Sequence, residues 1–495
     1  MRRLDIMEEA DRCLLCNDAP CSTACKNGDP ARAIRAIRFE NASAAYKWLI
    51  QATEDDLAAA ERACLLHDYP IRIRELSHFL SENYNAVSGA TVGVDNSNEF
   101  RSQSLKIDFC GLRCENPFFL ASSAICTNYE MVAEAFKAGW AGVFYKTICL
   151  EEIKEVSPRF DVVKNSNGSF AGFRNMEQLS ENPPVIDFEI LSRLKREFPN
   201  KIVIASIMGS TEHQWIELAK MAEEAGVDAI ELNFSCPQMR IAGMGSDVGQ
   251  NLELVSIYTA IVKSAVKIPI IPKMTPNVDS MAKYALAAHF AGADAISAIN
   301  TIKSVTMSYD SEVTGRRMIS GYSGRAIKPI AQRFIMEIAN NRICPDIHIS
   351  GIGGIYTWRD ALEFIQLGCR NIQICTAVME YGYRIIDDLI DGLQNYMTKR
   401  GVSCLEELVG EELGTFIATS EVDRDSKVFP LINRELCIGC GRCYISCRDG
   451  GHQAISFDTE RHPHVLGQKC VGCHLCRLVC PVGAIGISKR IPKNK

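Results

Sequence analysis

Eight cysteines between positions 437 and 480 form two runs of matched spacing, Cys437-x2-Cys440-x2-Cys443-x3-Cys447 and Cys470-x2-Cys473-x2-Cys476-x3-Cys480, the second followed by Pro481. Three thiolates at this pitch wrap one iron–sulfur cube, and the fourth cysteine of each run points away and ligates the other cube. The spacing therefore predicts two [4Fe–4S] clusters. One would be held by Cys437, Cys440, Cys443 and Cys480, the other by Cys470, Cys473, Cys476 and Cys447. Structural zinc sites would typically show paired C-x-x-C units instead of two linked runs of four. One departure is Arg448, which stands where the bacterial pattern has proline.

A less regular run, Cys13-x2-Cys16-x4-Cys21-x3-Cys25, lies near the N-terminus. Thiols this dense would be a redox liability unless ligated, so a further cluster is expected. The spacing leaves two ligand sets open: these four cysteines, or three of them with the distant Cys64. The remaining cysteines are scattered and read as small buried hydrophobes, with Cys236 the exception. Cys236 sits in Glu231-Leu232-Asn233-Phe234-Ser235-Cys236-Pro237, where a strand-like run gives way to a loop.

Another chemical signal is Ser350-Gly351-Ile352-Gly353-Gly354, whose glycine pair lets backbone N–H groups approach a phosphate after a late strand. A phosphate site in the same chain as iron–sulfur clusters points to FMN, because a flavin converts two-electron chemistry into one-electron steps. No G-x-G-x-x-G fingerprint follows a strand-like run, so no dinucleotide-binding domain is expected.

These residues need a scaffold. The chain has 495 residues, 47% of them hydrophobic and 23% charged, with a net charge of −6. It is long enough for several domains. Mild acidity argues against nucleic acid or an anionic membrane as the main partner. No secretory signal and no bilayer-length apolar run is evident, and twenty-two cysteines suit metal ligation in a reducing, cytoplasmic setting.

Residues 1–85 have helical spacing and read as an α-helical Fe–S domain, and 86–104 read as a polar linker. Residues 105–400 alternate helical stretches with eight apolar runs, at 118–123, 141–147, 202–208, 229–235, 269–274, 295–301, 348–354 and 371–377. Near-continuous apolar character marks parallel strands buried on both faces, and eight of them with intervening helices fit an α/β TIM (β/α)8 barrel. A doubly wound open sheet is the alternative. Polar residues collect at the C-terminal ends of the runs, which in a barrel ring one mouth. Residues 401–430 read as a linker and 431–495 as a ferredoxin-like domain.

The segments RCLLCNDAPCSTAC, ELNFSCP, GFRNMEQLSENP and ELCIGCGRCYISCRDGGHQAI together resemble the dihydropyrimidine dehydrogenase family, and the barrel resembles dihydroorotate dehydrogenases. The arrangement is close to the family's bacterial PreA-type subunit with an additional N-terminal Fe–S region. The FAD- and NADPH-binding portion of the long single-chain enzymes is missing. The resemblance implies that Cys236 is the general acid/base at C5 of a pyrimidine and that Asn175, Glu177, Asn233, Asn300 and Thr301 bind the base, with Leu179 packing nearby. It implies that Lys146, Thr147 and Lys273 face the flavin and that Ala121, Ser122 and Ser123 lie along its ring. Ser323, Gly324, Gly353, Gly354, Cys375 and Thr376 would hold the FMN phosphate and ribityl chain. At the N-terminus it implies one [4Fe–4S] cluster on Cys13, Cys16, Cys21 and Cys64, with Cys25 an alternative ligand. The loop after Cys236 departs from the family pattern, Gln238 standing where histidine is usual, which bears on which pyrimidine is preferred.

The implied activity interconverts uracil or thymine with the 5,6-dihydropyrimidine, electrons crossing the clusters singly. Without a nicotinamide site the chain would need an FAD/NAD(P)-binding reductase subunit or a ferredoxin, in a homodimer or heterotetramer. The rival readings are a dihydroorotate dehydrogenase-type enzyme, which must bind a substrate carboxylate, and a non-catalytic electron-transfer subunit.

Overall fold

The computed structural model describes residues 3–84, 104–165, 168–237, 239, 243–306, 318–340, 343 and 347–493. Eight parallel strands close on themselves: β1 (Phe118–Leu120), β2 (Gly142–Phe144), β3 (Ile202–Ile207), β4 (Ala229–Asn233), β5 (Ile270–Lys273), β6 (Ala295–Ala298), β7 (His348–Ile352) and β8 (Cys369–Ile374). Barrel order follows chain order, and β8 closes on β1 through Ile372 opposite Phe118. Each of the eight apolar runs supplies one strand, as the barrel expectation requires. Every residue of β3 and β4 is buried, which is why these segments are so poor in charge.

Helices at Tyr129–Ala138, Pro184–Glu197, Glu212–Glu224, Leu252–Ala265, Met281–Phe290, Lys328–Ala339, Trp358–Gln366 and Ile385–Arg400 lie between or after the strands. Their starts are set by local chemistry. Thr211 accepts from the Gln214 N–H, and Thr357 and Asp360 form a reciprocal capping box. Aromatic side chains fill the layer around the strands, Trp215 meeting Phe234 edge-on at 5.3 Å.

A four-stranded antiparallel sheet accompanies the barrel, in the order Ile302–Ser304, Ser320–Ser323, Phe170–Asn175, Phe160–Lys164. It was not anticipated from the sequence. Its register sets Gly321 opposite Asn175 and Ser323 opposite Phe173.

The N-terminal helices Arg3–Arg12, Pro20–Ala24, Pro30–Arg38, Ala42–Leu49, Glu54–Arg62 and Ile73–Tyr84 share a core that includes Ile34, Ile37, Leu49, Leu57, Leu76 and Leu80. They belong to the same compact unit as the barrel, Met1–Leu413. Arg35 Nε donates to Asp388 Oδ2 at 2.5 Å, tying the helix Pro30–Arg38 to the barrel helix Ile385–Arg400. The linker read at 86–104 lies, apart from Ser104, outside the described residues.

The second unit, Gly414–Lys495, contains three two-stranded antiparallel pairs and the helices Arg442–Gly450 and Leu475–Leu478. Among the described residues no helix is long and apolar enough to cross a membrane.

Candidate functional site

The C-terminal ends of the barrel strands face one mouth, where the reactive groups of such barrels gather. Ala121, Ser122 and Ser123 follow β1, and Lys146 and Thr147 follow β2. Asn233 ends β4, Lys273 ends β5, Asn300 and Thr301 follow β6, Gly353 and Gly354 follow β7, and Cys375 and Thr376 follow β8. A cleft of about 700 Å³ opens there. Of the residues singled out by sequence, Ala121, Ser122, Ser123, Asn175, Lys273, Asn300, Thr301, Ser323, Gly353, Gly354, Cys375 and Thr376 line it.

Lys146, Thr147, Glu177, Asn233, Cys236 and Gly324 are not on that lining, though Thr147 and Glu177 bond to residues that are. Thr147 Oγ1 lies 3.1 Å from Ser122 Oγ and accepts from Asn233 Nδ2 at 2.9 Å. Ser235 bridges the two asparagines: its Oγ donates to Asn233 Oδ1 at 2.8 Å and accepts from Asn300 Nδ2 at 2.7 Å. Lys146 Nζ pairs with Glu177 Oε2 at 2.8 Å, and Arg159 Nη1 holds Glu177 Oε1 at 3.0 Å. The Glu177 N–H donates to Asn175 Oδ1 at 2.7 Å. Leu179 is buried, and the Ser180 N–H donates to the Thr147 carbonyl.

Cys236 is buried, and its carbonyl accepts from the Ser246 N–H. Gly245 closes the loop with φ +60°, and a Cβ there would come within 2.5 Å of the Cys236 carbonyl. Gln238 lies outside the described residues. Ser235 and Arg159 were missed in sequence reading. Ser235 could have been found from its place between Asn233 and Cys236, whereas nothing local marks Arg159.

The cleft suits a flavin on its own chemistry. Gly353 and Gly354 have φ +124° and +76°, and a Cβ at Gly354 would meet the Lys328 backbone nitrogen at 2.7 Å, so the loop lies bare against the helix start. Ser323 Oγ and Thr376 Oγ1 meet at 3.0 Å across the cradle, and Gly324, with φ +95°, packs on the Gly172 Cα. Gln373 lines the cleft, and its buried Oε1 has no partner among the described residues, an acceptor suited to the N–H of a bound ring. Burial pushes the Cys375 thiol up, and that thiol donates to Ser123 Oγ at 3.2 Å.

The cysteines surround three further cavities. Cys437, Cys440, Cys443 and Cys480 line one of about 350 Å³, and Cys447, Cys470, Cys473 and Cys476 line another of about 340 Å³. In each, a cysteine from one run faces three from the other. Corresponding backbone donors complete the pattern, the Ala454 N–H reaching Cys447 Sγ and the Ala484 N–H reaching Cys480 Sγ, both at 3.3 Å. The third cavity, about 410 Å³, is lined by Cys13, Cys16, Cys21 and Cys64. Cys25 is not on that lining; it is buried in the helical core, within 3.3 Å of the position a Cβ on Gly28 would take. No three His, Cys, Asp or Glu side chains among the described residues form a group that could hold a single metal ion. The thiols stand around a space, as a polynuclear cluster requires. Burial, the largest cause, pushes Cys21 and Cys476 each up to about 11, so these thiols keep their protons unless a cationic centre displaces them.

Comparison with known proteins agrees with this geometry. Residues 104–397 match the dihydroorotate dehydrogenase family model, and residues 430–487 match the 4Fe–4S dicluster domain. The chain is 49% identical over 395 residues to the NAD-dependent dihydropyrimidine dehydrogenase subunit PreA of Escherichia coli K12, covering 78% of this chain and 96% of that protein. It is 36% identical to the chloroplastic dihydropyrimidine dehydrogenase (NADP(+)) of Arabidopsis thaliana, over 68% of this chain and 83% of that protein. It is 37% identical to the catalytic subunit of dihydroorotate dehydrogenase B (NAD(+)) of Thermococcus kodakarensis, over 62% of this chain and 97% of that protein. Both family matches begin at or after residue 104, so the N-terminal helical region lies outside them. The chain thus belongs to the dihydroorotate dehydrogenase family and, within it, to the PreA-like dihydropyrimidine dehydrogenases that carry a C-terminal ferredoxin module.

Proposed function

We propose that this chain is the catalytic subunit of a dihydropyrimidine dehydrogenase, interconverting uracil or thymine with the 5,6-dihydro base. It would carry FMN, two [4Fe–4S] clusters in the C-terminal unit and one on Cys13, Cys16, Cys21 and Cys64. Electrons would come from an FAD/NAD(P)-binding reductase subunit or a ferredoxin. FMN, when bound, supplies hydride transfer coupled to single-electron exchange.

The chain's own residues do the rest. Ser323, Gly324, Gly353, Gly354, Cys375 and Thr376 form the phosphate and ribityl cradle, and Ala121, Ser122 and Ser123 flank the ring. Lys273 and Lys146, with Thr147, bring positive charge and hydrogen bonds to it. Asn175, Asn233, Asn300, Thr301 and Glu177 present donors and acceptors to the base and fix it in one plane, so that proton and hydride arrive at adjacent carbons. Cys236 gives a proton to C5 in reduction and takes it back in oxidation.

The observation that carries this reading is the Asn233–Ser235–Asn300 bridge at the mouth, with Cys236 next in the chain to Ser235. A carboxylate-bearing substrate fits less well. Lys273 is the one charged side chain among the described residues lining the cleft, and Glu231 faces it. Lys146 and Arg159 are already bound to Glu177.

The test is Cys236→Ala. Pyrimidine turnover is expected to fall by about 10² to 10⁴-fold, with flavin and iron retained. Unchanged turnover would remove the proton-transfer role.

A further inference from the structure

A belt of polar side chains crosses the barrel interior, where packed aliphatic layers are the rule. At its centre is Glu231 of β4, with no exposed surface. Glu231 Oε1 accepts from Ser206 Oγ at 2.9 Å and faces Lys273 Nζ at 3.4 Å, while Oε2 accepts from Ser297 Oγ at 3.0 Å. The serines are in place by register: Ser206 is opposite Glu231 on β3, and Ser297 is opposite Lys273 across β5 and β6.

A carboxylate can only accept, and each serine has one proton. With both serines donating inward, their oxygens must accept from the next groups outward. On one side, Thr147 Oγ1 lies 2.9 Å from Ser206 Oγ and therefore donates to it, leaving its own oxygen to accept from Asn233 Nδ2. That turns the Asn233 carbonyl oxygen to Ser235, which Asn300 also reaches. On the other side, Gln373 Nε2 donates to Ser297 Oγ at 2.8 Å and to Ser350 Oγ at 2.9 Å, which leaves Gln373 Oε1 as the free acceptor at the cleft. One buried charge thus dictates the donor–acceptor sense of three groups at the mouth: Lys273, Asn233 and Gln373.

We propose that Glu231 is a positioning residue that sets the polarity of the active site. It holds Lys273 against the flavin while offsetting part of its charge, and it fixes which atoms Asn233 and Gln373 present. The inference rests on the reading of the cleft as the flavin site. A lysine beside a flavin stabilises the negative charge the ring gathers on reduction, and a carboxylate behind that lysine moderates the effect. Both act strongly in a site shielded from water. Without Glu231 the ring would hold its electrons too well to pass hydride on efficiently.

The experiment compares Glu231→Gln, Lys273→Met, the double variant and Ser206→Ala, each anaerobically purified with FMN content measured first. Glu231→Gln is expected to retain FMN, shift the flavin midpoint potential to more positive values and lower kcat by about tenfold. In the Lys273→Met background the same substitution is expected to give no further shift, since the carboxylate acts on the ring through the lysine it offsets. Ser206→Ala cuts the route to Asn233 but leaves Lys273 and Ser297 on Glu231, so KM for the base should rise with a smaller change in potential than Glu231→Gln gives. A Glu231→Gln potential equal to the parent's, or an equal shift in both backgrounds, would overturn the role through Lys273. If Glu231→Gln does not fold, Ser206→Ala and Ser297→Ala decide: a KM equal to the parent's in the first, together with a parent-like potential in the second, overturns the proposal. A parent protein without FMN would instead overturn the reading of the cleft.

Discussion

Lys146 and Glu177 form a buried ion pair at 2.8 Å, each side chain about 5% exposed, although they lie on separate elements thirty-one residues apart. Arg159 closes the pair from the other carboxylate oxygen, and the Glu177 N–H is bound by Asn175. A cation that the family resemblance assigns to the flavin and a carboxylate that it assigns to the base are therefore one electrostatic unit.

Glu177→Gln should accordingly affect binding and stability together. Breaking one side of a buried pair costs about 3–5 kcal/mol, because the remaining charge loses its partner. The variant is expected to raise KM for the pyrimidine and to lower the melting temperature. Steady-state kinetics and thermal denaturation of the FMN-loaded protein check both. A raised KM with an unchanged melt would mean that Lys146 has found another partner.

Cys64 lines the N-terminal cysteine cavity and Cys25 does not. Cys64→Ala should cost the anaerobically purified protein about four iron atoms, the content of one cubane cluster, while Cys25→Ala should keep them. Iron and sulfide analysis reads the difference. Loss in Cys25→Ala alone would shift the ligand set to the contiguous run.

Asp388 supplies a pH-dependent contact between the N-terminal helices and the barrel. Its carboxyl is pushed up to about 6, by burial first, with the paired Arg35 pulling it down. A folded-state value above the unfolded 3.8 means that the folded chain holds this proton longer. The contribution is therefore whole below pH about 4 and is lost as pH rises through 6, by about 3 kcal/mol. Amide-exchange protection of the helix Ile385–Arg400 should fall over that interval, and in Asp388→Asn the fall should disappear.

Much of this is legible in the sequence. Parallel strands buried on both faces have to be apolar throughout, so β1 to β8 announced themselves, and the polar residues at their ends marked the mouth. The antiparallel sheet did not. Its strands are short and half-exposed, and Phe170–Asn175 pairs with a segment beginning at Ser320, a separation no local pattern encodes. The Glu231 belt was also missed, although its signal was present: Ser206, Glu231, Ser297, Ser350 and Gln373 each fall inside one of the apolar runs, the last four at its third position. A single polar residue inside a buried strand carries little signal alone, whereas their recurrence around the barrel is the pattern. Cys64 was legible only as an option, because the folding of helix Glu54–Arg62 is what brings it to Cys13, Cys16 and Cys21.

The most direct test of the account is a single-turnover experiment on anaerobically purified protein with flavin and iron both confirmed. The protein is reduced by an artificial donor and mixed separately with uracil, thymine and orotate, while flavin absorbance and product are followed. The account predicts that uracil or thymine reoxidises the flavin with formation of the 5,6-dihydropyrimidine. Reoxidation by orotate alone, or by none of the three, would contradict it.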